Sequence, residues 1–541
     1  MEHGSESYFV EGEGLLSESG AGRDGVAAAA TAAASASTAA ATATAASVTA
    51  TAAAAPFRFS RMGPKGINRQ LGEPARKKVA REMTAGGGGQ SQIPAGYTYL
   101  GQFVDHDLTF DKTLVMLGQN VSPAALLQGR SPSLDLDSLY GAGPQDPESA
   151  KFYSDDRHLK MGRTLAEGGI PAKDGFDLPR GAGNTAAKKR KAIIPDPRND
   201  ENLAVAQTHL ALMRFHNRVV DTLPASVPPA QRFARARELV TKHYQWMIRT
   251  DYLPRICAPG VVNDVWGNGR KAFEKNATPT DVPTMPIEFS VAAFRLGHAM
   301  IREQYNWNGF FDFGSGSLDL LFTFSAGSRN LGDGPRLPST WIADWRRLYD
   351  FKEANKPGLA VPESRFNRAM RIDTTLVDPL KNLPAGSFGG GAPPGDHRRN
   401  LAFRNLTRAK MVKLATGQQM ANFMKNKGVN LTKLTKAQIR DGKNGADLSL
   451  LTPAQRQAFL SNTPLWFYIL REAEFGGGRL KGVGARIVAE TIHRAMEGST
   501  HSIVRDPTWK PSLGPDNSTF RMVDLLLFAF QGQKALLAPV G

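Results

Sequence analysis

From about residue 93 to the end of the chain, apolar residues recur at intervals of three and four rather than two, and this period restricts the possible folds more than any other feature. Its clearest instance is Leu203, Ala206, Leu210, Met213, Asn217 and Val220, which place one continuous face on a helix over about 201–223. Asp196 followed by Pro197 suits the start of that helix, because a carboxylate caps free amides and proline is pre-set for a first turn. Further helices are expected over 230–249, 289–304, 339–348, 364–371, 398–414, 452–460, 465–474, 483–497 and 522–530. Alternating strand patterns are few. The Pro- and Gly-rich connection at 384–395 breaks the helical pattern without marking a second boundary in composition, and no internal repeat is visible. The expected fold is mostly α: a single large helical domain with long irregular loops and little β.

Three segments are expected along the chain. Residues 1–56 read as a disordered N-terminal segment with a tether of Ala, Thr and Ser, uncharged from Val26 to Ala55 and lacking the Leu, Ile and Phe that favour insertion in a bilayer. No stable membrane insertion is expected. Residues 57–92 read as a basic, flexible lead-in ending near the glycine run 86–89, and 93–541 as the folded domain, beginning at the apolar stretch Ile93 to Leu100. The first fourteen residues carry four glutamates and lack the basic start and leucine-rich core of a secretory signal, which leaves cytoplasmic residence and non-classical export both open.

A formal net charge of +17 would draw anions but does not choose among them. The only tight basic cluster, Lys188 to Lys191, reads as a solvated loop, so no nucleic-acid partner is expected. The single cysteine, Cys257, excludes an intrachain disulfide and a cysteine-based zinc site. Stability must come from packing, with bound ions as a further source open to it.

The most informative string is Gly101-Gln102-Phe103-Val104-Asp105-His106-Asp107. A histidine between two aspartates can be a general base, a metal ligand or a solvated turn, and alone the string favours the turn. Four more strings follow in order: Arg198-Asn199-Asp200-Glu201, Arg214-Phe215-His216-Asn217-Arg218, Phe294-Arg295-Leu296-Gly297-His298 and Asn405-Leu406-Thr407-Arg408. Together, over roughly residues 93 to 500, they resemble the animal-type haem peroxidase family (the peroxidase-cyclooxygenase superfamily), and its bacterial branch more than the mammalian secreted enzymes.

The resemblance implies roles for these residues. His106 would be the base that moves a proton between the two oxygens of peroxide, and the fixed charge of Arg198 would stabilise the negative charge developing as the O–O bond breaks. Gln102, four residues before His106, would help hold water or halide. Asp105 and Glu201 would form ester bonds to a haem derived from haem b. Arg198 and Glu201, three apart, would project from one side of the same helix. Asn202 stands where one mammalian member has a methionine linked to haem, so that third bond is not expected. His298 would ligate the haem iron with Asn405 accepting from its other ring nitrogen, and Arg295 and Arg408 would pair with the haem propionates.

The resemblance further implies Ca2+ at Asp107 and the loop Ser131 to Gly141, with side-chain oxygens from Ser131, Asp135 and Asp137 and the carbonyl of Ser133. His209, His216 and His397 read as packing residues, as do Trp466 and Tyr468.

The activity so implied is that of a haem peroxidase, reducing hydrogen peroxide and oxidising small anionic or phenolic donors (halide, thiocyanate, phenols) through an oxyferryl state. A haem-dependent fatty-acid dioxygenase is the alternative. Such oxygenases carry a tyrosine three residues before the proximal histidine, where this chain has Arg295. A catalytically silent binding or matrix protein of the same fold is a third reading, disfavoured because both His106 and Arg198 are present.

Overall fold

The computed structural model describes residues 57–67, 71–113, 117–383, 393 and 395–541. The expected tether at 1–56 and most of the glycine-rich connection at 384–395 lie outside the described residues.

The helical expectation holds. The Leu203–Thr222 helix, 20 residues long, packs against the Gly96–Leu108, Pro229–Met247 and Met522–Ala529 helices. Among the described residues the strands pair only two by two, as in Gln90–Pro94 antiparallel to Arg368–Met370. One continuous apolar core runs from Phe59 to Leu537.

The Gly96–Leu108 helix shows why sequence forms the site here. Its residues are buried on every face except at Gln102 and Asp105, so it is a core helix with one narrow polar opening. Those two positions are three apart, and His106 follows Gln102 by four, which puts all three on neighbouring parts of one surface.

Several expected elements differ. The Leu203–Thr222 helix starts two residues later than expected and is capped by Asn202, whose Oδ1 accepts from the Val205 amide at 2.9 Å. Asp196 instead caps a separate 3-10 turn, Pro197–Asp200, accepting from the Arg198 amide at 3.0 Å. The stretch 289–304 is not one α-helix: a π-turn at Glu288–Ala292 and a 3-10 turn at Ala293–Leu296 precede a short helix Gly297–Met300. Residues 339–348 form two 3-10 turns, and 364–371 a 3-10 turn followed by strand Arg368–Met370. In each case tertiary partners outweigh a short stretch of helical period.

The lead-in also departs from expectation. Within 57–92, Glu73–Met83 is a helix that buries Val79 and Met83 completely and packs against the Leu401–Met411 helix. Its basic residues mask the apolar stripe Ala75, Val79 and Met83.

Candidate active site

One cleft, enclosing about 990 Å3 with its open mouth, gathers Gln102, Asp105 and His106 from the Gly96–Leu108 helix, Arg198 and Glu201 from the 3-10 turn and its end, and Arg295 and His298 from the broken segment. Phe294, Leu318, Phe322 and Leu401 supply apolar wall. Two imidazoles far apart in the sequence thus line a single space, which is the arrangement a ligand held at one and worked on by the other requires.

His106 is only 5% exposed. Its Nδ1 lies 2.8 Å from Asn199 Oδ1, and its Nε2 is 3.5 Å from Glu201 Oε1. Gln102 Nε2 donates to the same Glu201 oxygen, and Asn202 Nδ2 donates to Gln102 Oε1 at 3.0 Å. Gln102 therefore bridges Glu201 and Asn202.

Arg198 and Glu201 do not sit on the Leu203–Thr222 helix as expected. They lie on the preceding 3-10 turn and its C-cap. A 3-10 turn has three residues per turn, so positions three apart eclipse each other and both still face the cleft. Arg198 is held by Asp196, whose Oδ1 accepts from Nε at 3.0 Å and whose Oδ2 accepts from Nη2 at 2.7 Å. Nη2 also donates to the carbonyls of His106 and Thr109, at 2.9 and 2.5 Å. The guanidinium stacks 4.6 Å from the Phe110 ring. Asp196 also accepts from Arg130 Nη2 at 2.6 Å. Despite full burial, the Arg198 and Arg130 charges hold the Asp196 carboxyl far below the usual carboxylate range, and Asp196 raises Arg198.

In the same cleft, His298 Nδ1 is 2.9 Å from the Asn405 amide. The Asn405 oxygen is buried without a hydrogen-bond partner. With that amide turned by 180°, the carbonyl would accept from Nδ1–H and Nε2 would keep its lone pair for a metal. Arg295 Nε donates to the Ser290 carbonyl at 2.9 Å, and Trp466 Nε1 donates to the Arg295 carbonyl at 3.3 Å, so Trp466 packs against the backbone of this segment. Arg408 is buried one turn after Asn405; it and Arg295 both act on Asp111, whose carboxyl is raised by burial and lowered by their charges. Neither Asn405 nor Arg408 lines the cleft itself.

The donor set fits a haem. An imidazole is present for the iron, a second stands by for its ligand, and Asp105 Oδ1 is a buried carboxylate oxygen with no hydrogen-bond partner. An unsatisfied carboxylate oxygen is costly unless something else engages it, and a covalent or close contact with a bound group would do so.

The residues expected at calcium lie behind His106. Asp107 is completely buried and accepts from the Leu136 amide and from the Ser138 amide and hydroxyl, each at 3.2 Å. Burial, with Asp137 and Asp135 nearby, pushes its carboxyl up to about 8; burial and Asp135 push Asp137 up to about 6. Asp135 Oδ1 accepts from Ser499 Oγ and the Thr500 amide at 2.7 and 2.8 Å. Ser133 Oγ donates to the Gly498 carbonyl, and Ser131 is half-buried at the loop's start. No group of three or more His, Cys, Asp or Glu side chains among the described residues is arranged to hold a metal ion. The charges of Asp107, Asp135 and Asp137 act on one another, so the three carboxyls lie near each other.

His216 is a packing residue, 3.0 Å from Tyr140 Oη and 2.8 Å from the Arg157 carbonyl. His209 is not remote from the site: its Nδ1 lies 3.0 Å from Asn199 Nδ2, one residue from His106 contact. Sequence reasoning misses the roles of Asn199, Asp196 and His209. Asn199 and Asp196 flank Arg198, and that adjacency is the one signal the sequence offers.

Comparison with known proteins gives a consistent result. The family model for animal haem peroxidase matches residues 93–320, a span that includes His106, Arg198, Glu201 and His298 but ends before Asn405. A peroxidase-like protein of Margaritifera margaritifera is 25% identical over 224 residues, 40% of this chain and 26% of that protein. Thyroid peroxidase of Rattus norvegicus is 27% identical over 193 residues, 33% of this chain and 20% of that one. The chain thus spans about a quarter or less of the length of these relatives. Among solved structures, peroxidase A of Dictyostelium discoideum aligns over 90% of this chain and 95% of its own, with a TM-score of 0.53 and 16% identity. A fatty acid alpha-dioxygenase of Arabidopsis thaliana aligns over 90% and 76%, with a TM-score of 0.52 and 11% identity. These structures share the fold.

Proposed function

Because this chain carries an animal haem peroxidase domain, we propose that it is a haem peroxidase that reduces hydrogen peroxide and oxidises small donors such as halide, thiocyanate or phenols. The observation that carries this reading is the pair of imidazoles, His106 and His298, lining one cleft with the Arg198 guanidinium. His298 Nε2 would hold the haem iron, with Asn405 behind it, and Asp105 and Glu201 would esterify the haem. Bound there, haem supplies the iron-centred redox chemistry.

The protein's part is proton handling and electrostatics. His106 Nε2 takes the proton from the near oxygen of peroxide and returns it to the departing one, a transfer worth about 10²–10⁴-fold. Arg198 offsets the negative charge on the departing oxygen; because Nε and Nη2 are already engaged by protein atoms, Nη1 is the nitrogen left to serve the cleft. The bridge from Gln102 to Glu201 and Asn202 fixes the polar floor beside His106. Apolar side chains at 294, 318 and 322 restrict water. No step is assigned to calcium; Asp107, Ser131, Ser133, Asp135 and Asp137 would hold it beside His106.

Protein expressed with ample haem should show a Soret band that changes on adding peroxide, and His298→Ala should alter the iron's axial ligation. Colourless protein, or ligation unchanged in that variant, would overturn the reading. The Asp105→Val, Glu201→Gln double variant should release its haem to acidified organic solvent, whereas the parent retains it. Haem held equally by both proteins would remove the ester links from the proposal. Oxygen uptake with polyunsaturated fatty acids distinguishes the dioxygenase alternative; Arg295, where such enzymes need tyrosine, argues against it.

A further inference from the structure

We infer that Asn199 is a positioning residue that sets the tautomer of His106, and that His209 fixes which way the Asn199 amide faces. This rests on the reading of His106 as the proton acceptor. A neutral imidazole can take a proton at Nε2 only if its own proton sits on Nδ1.

Asn199 Oδ1 lies 2.8 Å from His106 Nδ1. A carbonyl oxygen has no hydrogen, so this contact is a bond only when Nδ1–H donates, which leaves the Nε2 lone pair in the cleft. The reversed amide would present N–H to Nδ1 and stabilise the other tautomer, with the proton on Nε2 and no capacity to act as a base there.

The amide orientation is itself held. Asn199 is completely buried, and its backbone belongs to a turn fixed on both sides, by Arg198 bonding to Asp196 and by Asp200 bonding to Arg180. Its Nδ2 lies 3.0 Å from Nδ1 of His209, which can accept while that nitrogen is unprotonated. His209 is also completely buried, edge-on to Phe103, and desolvation pushes it down to about 3, so the ring stays neutral and keeps a lone pair. The three groups therefore form one chain: His106 Nδ1–H donates to Asn199 Oδ1, and Asn199 Nδ2–H donates to His209 Nδ1. Reversing any one link would reverse all of them.

The test uses the full chain labelled with 15N-histidine and prepared free of haem, so that its outcome does not depend on haem binding. Long-range 1H–15N spectra report which nitrogen of each neutral ring is protonated. In the parent, His106 should be protonated on Nδ1 and His209 on Nε2. Asn199→Leu should convert His106 to a mixture or to the Nε2–H form, whereas Asn199→Asp, which keeps an acceptor of the same size, should retain Nδ1–H. In the haem-loaded proteins kcat/KM for peroxide should fall about 10–100-fold in the leucine variant, the size of effect seen when a metal-bound imidazole loses its orienting partner, and recover in the aspartate variant. A parent protein with the proton on His106 Nε2, or a leucine variant with the parent's tautomer, would overturn the inference. Unimpaired turnover in His106→Ala would instead sink the base assignment while leaving the tautomer result standing.

Discussion

Replacing His106 with alanine should lower kcat/KM for hydrogen peroxide by about 10²–10⁴-fold, or about 3–5 kcal/mol of barrier, while leaving haem bound. The magnitude follows from what is lost: the imidazole nitrogen that faces the cleft and relays the peroxide proton. Binding should persist because the groups proposed to hold haem, His298 with Asn405 and the carboxylates at 105 and 201, are untouched. Stopped-flow mixing with peroxide gives the rate, and the absorption spectrum gives the haem content. Turnover close to the parent's, in protein with full haem content, would mean that another group carries the proton, and Glu201, 3.5 Å from His106 Nε2, would be the first to examine.

The second large effect should come from a residue outside the cleft. Asp196→Ala should cost about 3–5 kcal/mol of stability, because it leaves the buried Arg198 and Arg130 guanidinium groups without their shared counter-charge. Activity should fall as well, since Arg198 would lose two of its bonds. The pH dependence has a definite sign. Asp196 is held below its unfolded value, so its contribution is fully present above about pH 4 and diminishes as pH falls towards the folded value. The parent and the variant should therefore differ most near neutrality and converge in acid. Denaturation midpoints across that range provide the check; a variant within about 0.5 kcal/mol of the parent at neutral pH would show that the two arginines are held by other means.

Much of the site is legible in the amino-acid sequence because its residues come as short strings whose order along the chain is itself informative. His106, Arg198, Glu201, Gln102, Asp105, Arg295 and His298 do line one cleft. The residues behind them are harder to read. Asn199 stands within a recognisable string without an evident role, and His209 looks like any buried histidine on a helix. Their importance lies in distances of 2.8 and 3.0 Å between groups on different elements, and no spacing in the sequence encodes such a contact.

The same division applies to secondary structure. The Leu465–Glu474 and Gly482–Glu497 helices are readable to within a residue, because long amphipathic stretches carry their own period. The broken segment around His298 and the 3-10 turn that carries Arg198 are not, since short turns gain too little from local bonds to announce themselves and are held by what surrounds them.

Sequence alone therefore determined the helical class of the fold and the side chains brought to the cleft, because periodicity and ordered motifs are properties of the chain itself. Only the tertiary structure decided how those side chains are held: the Asp196 clamp on Arg198 and the amide between two histidines. The reason is that a buried polar group must find its partner among whatever the fold places within about 3 Å, and that neighbourhood does not exist until distant segments have packed together.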